Sequence, residues 1–256
     1  MSNNSNRDFS LTGYKSLIRT FIKAGYKTCF FKELDLSKSQ LILRHDVDFS
    51  LKAALDIAKV EAELGVSSHF YVLLRTEFYN LCSPNDLKQV QALAELGHNV
   101  GLHFDASLYD QQLDKLEAAI ASECNILEAI MGQDVTSISF HRPAQKLLGL
   151  NKKLAGRQHA YEPRFFSEIA YVTDSQGLFR YGHPLDHEAF KARKAMQLVT
   201  HPIWWPKYSS ADKMALLDEF LSRRMKLLVA ETAANCKPFA LRISEEQDSI
   251  KERYKR

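Results

Sequence analysis

LILRHDVD, Leu41–Asp48, is the stretch from which the fold is read. Three of its first four residues are apolar and its end is charged. A short apolar run of this length, Leu41–Val47, predicts a buried strand. Side chains alternate along an extended chain, so Asp46 and Asp48 point to the same side. Two carboxylates on one face repel each other unless something offsets the charge, and a divalent cation does so. A simpler arrangement is also open: one Asp caps the following helix and the other pairs with Arg44.

Outward from this strand, helical and extended patterns alternate. Tyr14, Leu17, Ile18, Phe21 and Ile22 recur at helical spacing, and Gly25 ends that helix. Ser50 opens a second helix that runs to Gly65, and SHFYVLL (Ser68–Leu74) reads as a strand. Ser83-Pro84 starts a third helix, with Ser as cap and Pro in the first turn, ending at Gly97. Asn99–Phe104 is the next strand, and a long helix covers Gln111–Ile130. SISF (Ser137–Phe140), IAYVTD (Ile169–Asp174) and MQLVTH (Met196–His201) are further strands. A last helix carries Met214, Leu217, Leu221, Met225 and Leu228 on one stripe, expected to pack into a core. The tail EEQDSIKERYKR is expected to be a solvated helix or a frayed end. Strands alternating with amphipathic helices predict an α/β protein with a parallel sheet and outer helices. No repeat or linker interrupts the pattern, so a single domain over 1–256 is expected.

Composition narrows the function. The chain has 256 residues, 45% hydrophobic and 25% charged, with 34 Lys+Arg against 31 Asp+Glu. A net charge of +3 argues against nucleic-acid binding by phosphate neutralisation. No apolar window is long enough for a membrane span. The opening MSNNSNRDFS lacks the apolar stretch of a secretory signal, so a cytoplasmic location is expected. Cys29, Cys82, Cys124 and Cys236 are scattered, which predicts packed free thiols and not a disulfide or Cys-based zinc framework.

In parallel α/β folds the chemistry lies at the carboxyl ends of the strands. Asp46 and Asp48 end one strand. GLHFD (Gly101–Asp105) ends another, with His103 and Asp105 on one face, and zinc accepts imidazole nitrogen and carboxylate oxygen together. His98, in the turn before that strand, is expected to be exposed and not a ligand. SISF runs into His141-Arg142-Pro143, where Arg142 is able to clamp a carboxylate. LVTH ends at His201, followed by Trp204 and Trp205. These two rings suit a sugar-binding surface beside an acid, or else belong to the core. His183 and His187 flank a loop as reserve ligands.

RHDVD, GHNVGLH, FHRP and LVTH, taken together and in this order, resemble the polysaccharide deacetylase superfamily, the NodB-homology fold. The chain is similar in particular to a branch with R-H-D-V-D and G-L-H-[FY]-D motifs, found among genes of bacterial surface-polysaccharide biosynthesis. The resemblance spans about Leu41 to Trp205. It implies a distorted (β/α) barrel and a metal-dependent enzyme, zinc being the expected ion, that hydrolyses the N-acetyl or a similar acyl group of an amino sugar or sugar conjugate. It implies Asp46 as base, Asp48 and His103 as metal ligands, Arg142 as the group that orients the base, and His201 as acid. The family's second motif has two histidines, whereas here the second position is Ser107. Either the third ligand is then Asp105, His141 or a loop histidine, or metal binding is weakened or lost. The family's F-D-D is H-D-V-D here, which places the carboxylates one residue apart. Two other functions stay open: a non-catalytic carbohydrate-binding or assembly module, and hydrolysis of another non-peptide C–N bond.

Overall fold

The computed structural model describes residues 8–207 and 212–244. Residues 245–256, the tail read as solvated or frayed, lie outside the described residues. The chain divides into two compact units, Met1–Ala211 and Asp212–Arg256.

The first unit is built on eight strands: β1 (Lys27–Thr28), β2 (Gln40–Val47), β3 (His69–Val72), β4 (Asn99–Asp105), β5 (Ser137–His141), β6 (Gln158–His159), β7 (Ala170–Thr173) and β8 (Met196–Thr200). They form one sheet in the order β6-β5-β4-β3-β2-β8-β7, with β1 added beside β2, and every strand pair is parallel. The helices α1 (Leu11–Lys23), α2 (Leu51–Glu63), α3 (Pro84–Glu95) and α4 (Leu113–Met131) intervene, with two short ones, α5 (Pro163–Phe166) and α6 (Glu188–Lys191). This is a distorted (β/α) barrel, open between β6 and β7. From β8 the buried Gln197 Nε2 donates to the carbonyls of Ala160 (3.3 Å) and Phe165 (2.7 Å), tying β8 to the segment that follows the edge strand β6.

Local chemistry accounts for the helix starts. Ser10, Ser50 and Ser83 each accept a hydrogen bond from a first-turn amide, that of Gly13, Ala53 and Asp86 respectively. Ser50, and not Asp48, therefore caps α2, which leaves Asp48 free for the strand mouth. Gly25, Gly65 and Gly97 take positive φ where α1, α2 and α3 end.

The barrel is filled on both sides of the sheet. Leu41, Leu43 and Val47 face outward with Tyr14, Leu17, Ala54 and Ile57, all at most 2% exposed. Inside lie large polar side chains, Arg44 and Tyr71 among them. His98 is buried too, correcting its expected exposure: Nε2 bonds the Ala58 carbonyl (3.1 Å) and Nδ1 meets Ser68 Oγ (3.1 Å). It joins a buried network around Glu61, whose carboxylate also accepts from Tyr14 Oη (2.5 Å) and Ser68 Oγ (2.6 Å) and meets His45 Nε2 (3.0 Å).

The second unit holds α7 (Lys213–Asn235). Its expected core stripe is a correction. Met214, Leu221, Met225 and Leu228 are each more than half exposed, and Phe220 is the buried side chain of this helix. Helical spacing establishes the helix but not what covers it. The four cysteines are free, Cys29 and Cys124 buried, Cys82 and Cys236 exposed. No helix among the described residues is long and apolar enough to cross a membrane.

Candidate metal centre and active site

Parallel strands bring all their carboxyl ends to one rim, and register decides which side chains meet there. Arg44 on β2 pairs with His69 on β3 and Val199 on β8, so the last residues of β2 emerge at the middle of the sheet. On β4 and β5, His103 is opposite Ser139 and Asp105 opposite His141.

Asp48, His103 and His141 offer one ligand atom each, all within 4.8 Å of one another. Asp48 Oδ1 lies 3.1 Å from His103 Nε2 and 3.4 Å from His141 Nδ1, and Asp48 Oδ2 is 3.9 Å from His201 Nε2. Yet Asp48 Oδ1 is buried with no properly directed hydrogen bond. A buried carboxylate oxygen and two imidazole nitrogens this close together, with no directed hydrogen bond to that oxygen, are a set that could hold one ion. The donor set, two nitrogens and one oxygen, is one that divalent zinc and its neighbours accept, with room left for water or substrate. Burial pushes the Asp48 carboxyl up, but the facing imidazoles of His103 and His141, with the charge of His201, hold it well below the usual carboxylate range. It is therefore ionised, as a ligand must be.

Asp46 stands on one flank. Arg44 holds it with two parallel hydrogen bonds, Nε to Oδ1 (2.9 Å) and Nη2 to Oδ2 (2.8 Å). The same guanidinium donates to Ser139 Oγ (2.5 Å) and Tyr161 Oη (3.0 Å) and sits 4.7 Å over the Tyr161 ring. Both charges are almost wholly buried, and such pairing is what makes their burial tolerable. Burial raises the Asp46 carboxyl, but Arg44 and His103 bring it below its ordinary value. Asp46 Oδ2 is 3.9 Å from His103 Nε2, so it borders the ligand cluster without joining it.

His201 stands on the other flank. Asp174, at the end of β7, accepts from its backbone N–H (2.9 Å) and lies 2.7 Å from its Nδ1. Asp174 also accepts from Trp205 Nε1 (2.7 Å). Nδ1 thus carries a proton and Nε2 turns toward Asp48. Burial disfavours the imidazolium, but Asp174, with Asp48 and Asp46 beyond it, raises His201 to about 9.

The remaining expected site residues fall elsewhere. Asp105 is outside the cluster: its carboxylate accepts from Arg142 Nη2, from Ser107 N (3.0 Å) and from Ser107 Oγ (2.7 Å). Arg142, expected to orient Asp46, pairs with Asp105, because its backbone turns left-handed at φ 48° and carries the guanidinium to the neighbouring strand end. Trp204 and Trp205 are 7% and 2% exposed, so both lie in the core, the second of the two placements open to them from sequence. Trp205 packs on Phe9 and Tyr14 and braces Asp174. His183 and His187 accept from the amides of Leu185 (3.3 Å) and Ala189 (3.1 Å) in their own turns. Asp174 was not singled out from sequence, although it ends IAYVTD and the rule of strand ends picks it out.

A groove of about 740 Å³ opens beside the cluster, lined by Asp48, His141, Arg142 and the Leu73–Phe78 loop after β3 among others. Its volume suits a small ligand.

No protein-family model and no curated protein matches the sequence. Among solved structures, the chain is similar to a family 4 carbohydrate esterase from Bacillus anthracis, at 17% identity over 82% of this chain and 86% of that one, TM-score 0.42. A CE4 esterase from Streptococcus mutans has 15% identity over 73% and 82%, TM-score 0.46. A CE4 family pseudoenzyme from Bacillus anthracis has 11% identity over 75% and 63%, TM-score 0.39. At such scores the likeness is one of broad outline.

Proposed function

We propose that the chain is a metal-dependent hydrolase that removes the acyl group of an N-acylated amino sugar. The observation that carries this reading is one rim on which a ligand cluster, Asp48, His103 and His141, stands between a clamped carboxylate and a clamped imidazole. A divalent ion held by those three would supply Lewis-acid polarisation of the acyl oxygen. Asp46, ionised and aimed by Arg44, takes the proton of the attacking water. His201, charged and oriented by Asp174, gives a proton to the departing nitrogen as the C–N bond breaks, leaving a carboxylic acid and a free amine. The sugar part of the substrate, and a place in bacterial surface-polysaccharide biosynthesis, rest on the motif resemblance. The non-catalytic carbohydrate-binding reading is favoured by one observation, Ser107 where the family has its second histidine; His141 occupies the third place in the cluster instead.

The test is metal content together with acetate release from N-acetylated amino sugars, before and after chelation and re-addition of zinc. One divalent ion per chain is expected, with activity lost on chelation and regained with metal. Asp46→Asn is expected to keep the metal and lose about 10²–10⁴-fold in rate. Full activity without metal sinks the reading, and sugar binding with no product under any metal favours the binding module.

A further inference from the structure

Two arginines on the groove lining have no role in the chemistry above. Arg75, on the loop after β3, is held by its Nε to Glu123 Oε1 (3.1 Å) and lies 5.1 Å from the centre of the Tyr109 ring. Tyr109 Oη donates to the same Glu123 oxygen, so the anchor is itself fixed. Arg142 is held through Nη2 to the buried Asp105, which Ser107 secures twice. Its left-handed φ is one that non-glycine residues seldom adopt, and such strain collects where a side chain must be aimed. Each guanidinium side chain remains 62% exposed. Both anchoring carboxylates are by contrast almost fully buried. A guanidinium has five donors, and these anchors engage one nitrogen of each. The groove lining carries Arg75 and Arg142 with the carboxylates Asp48, Asp105 and Glu77; Asp105 is buried against Arg142 and Asp48 belongs to the candidate metal cluster, which leaves the two guanidinium groups and Glu77 as the exposed charges.

We propose that the groove takes an acylated sugar that also carries an anionic group, a carboxylate or a phosphate, received by Arg75 and Arg142. Planar N–H forks pair with either anion, and pre-positioned forks lose little freedom on doing so. This deepens the hydrolase reading of the adjoining site and rests on it for the acylated sugar, but not for the anion.

Titration calorimetry of the full chain, with N-acetylglucosamine, N-acetylglucosamine 6-phosphate, N-acetylglucosaminuronic acid and inorganic phosphate as probes, tests it. At least one anionic sugar is expected to bind about tenfold or more tighter than the neutral one, and to lose about tenfold of that preference in Arg75→Gln or Arg142→Gln. Which sugar is preferred distinguishes phosphate from carboxylate. Melting temperatures of both variants near the parent's show that the loss is local. Equal or absent binding of all the sugars, inorganic phosphate binding as tightly as the sugar phosphate, or a preference untouched in both variants would overturn the proposal. An anionic preference without acetate release defeats the hydrolase reading alone. Acetate release from the neutral sugar with no anionic preference defeats this proposal alone.

Discussion

Arg44 and Asp46 are two residues apart on one strand face, and there the alternation of side chains does most of the work. Pairing of one of the two carboxylates with Arg44 is legible in the sequence as an alternative to a shared cation, and Asp46 is the one the structure pairs so. The residue read as the base is thus oriented from its own strand, while Arg142 serves Asp105. Arg44→Met removes a buried cation and leaves Asp46 charged and alone. Breaking such a pair costs about 3–5 kcal/mol. Urea unfolding of the variant is expected to show a loss of that size, with recovery in Arg44→Met/Asp46→Leu, where both charges are gone. A single variant as stable as the parent would mean that water reaches the site and replaces the guanidinium.

Among the elements, β4 shows why a close fit across strands is invisible in one strand's sequence. In the sequence Gly101 shows only as part of a strand end. A Cβ there would meet Ser137 O and Tyr71 Cε1 at 2.5 Å, inside any tolerable contact. Tyr71 and Ser137 also bond each other through their hydroxyls at 2.8 Å, so the ring has little freedom to yield. Gly101→Ala is expected to destabilise the barrel by about 1–3 kcal/mol, the usual cost of overpacking a core. Measured by the same urea titration, a change under about 0.5 kcal/mol would show that the Tyr71 ring moves aside, since that is the range of inert substitutions. The two-residue strands β1 and β6 leave no signal in the sequence for a related reason, being too short to show any period. In α7 the period was plain and the helix formed, but its apolar stripe is exposed, since spacing carries no information about a covering surface.

For the whole molecule, buried neutral histidines contribute to the response to acid. Phe31 N–H donates to His69 Nε2 (3.3 Å), so that nitrogen keeps its lone pair and Nδ1–H faces Asn99 Oδ1 (3.2 Å). Burial pushes His69 down to about 3 and His159 down to about 4. Both lie below the unfolded value, about 6.5. Between these values the unfolded chain binds more protons than the folded one, so stability falls as pH drops from about 6.5 toward 4. Each histidine adds up to about 1.4 kcal/mol per pH unit to that slope. Urea midpoints from pH 7 to pH 4.5 are expected to fall less steeply in His159→Phe than in the parent. Parallel slopes would show that His159 is already protonated in the folded protein.

Much of this protein was written locally. Alternating periodicities, serine caps and helix-ending glycines specify a parallel sheet with outer helices, and the polar residues at strand ends include Asp46, Asp48, His103, His141 and His201, because these patterns depend only on near neighbours in the chain. The choices between partners were made by tertiary structure. The register of β4 on β5, with the left-handed turn at Arg142, gives Asp105 to that arginine and His141 to the ligand cluster. The closeness of β7 to β8 gives His201 its Asp174, and the packing of Trp205 on Phe9 and Tyr14 buries that ring in the core. Distances between side chains on different strands depend on how the whole sheet twists and closes, and no short stretch of sequence contains that information.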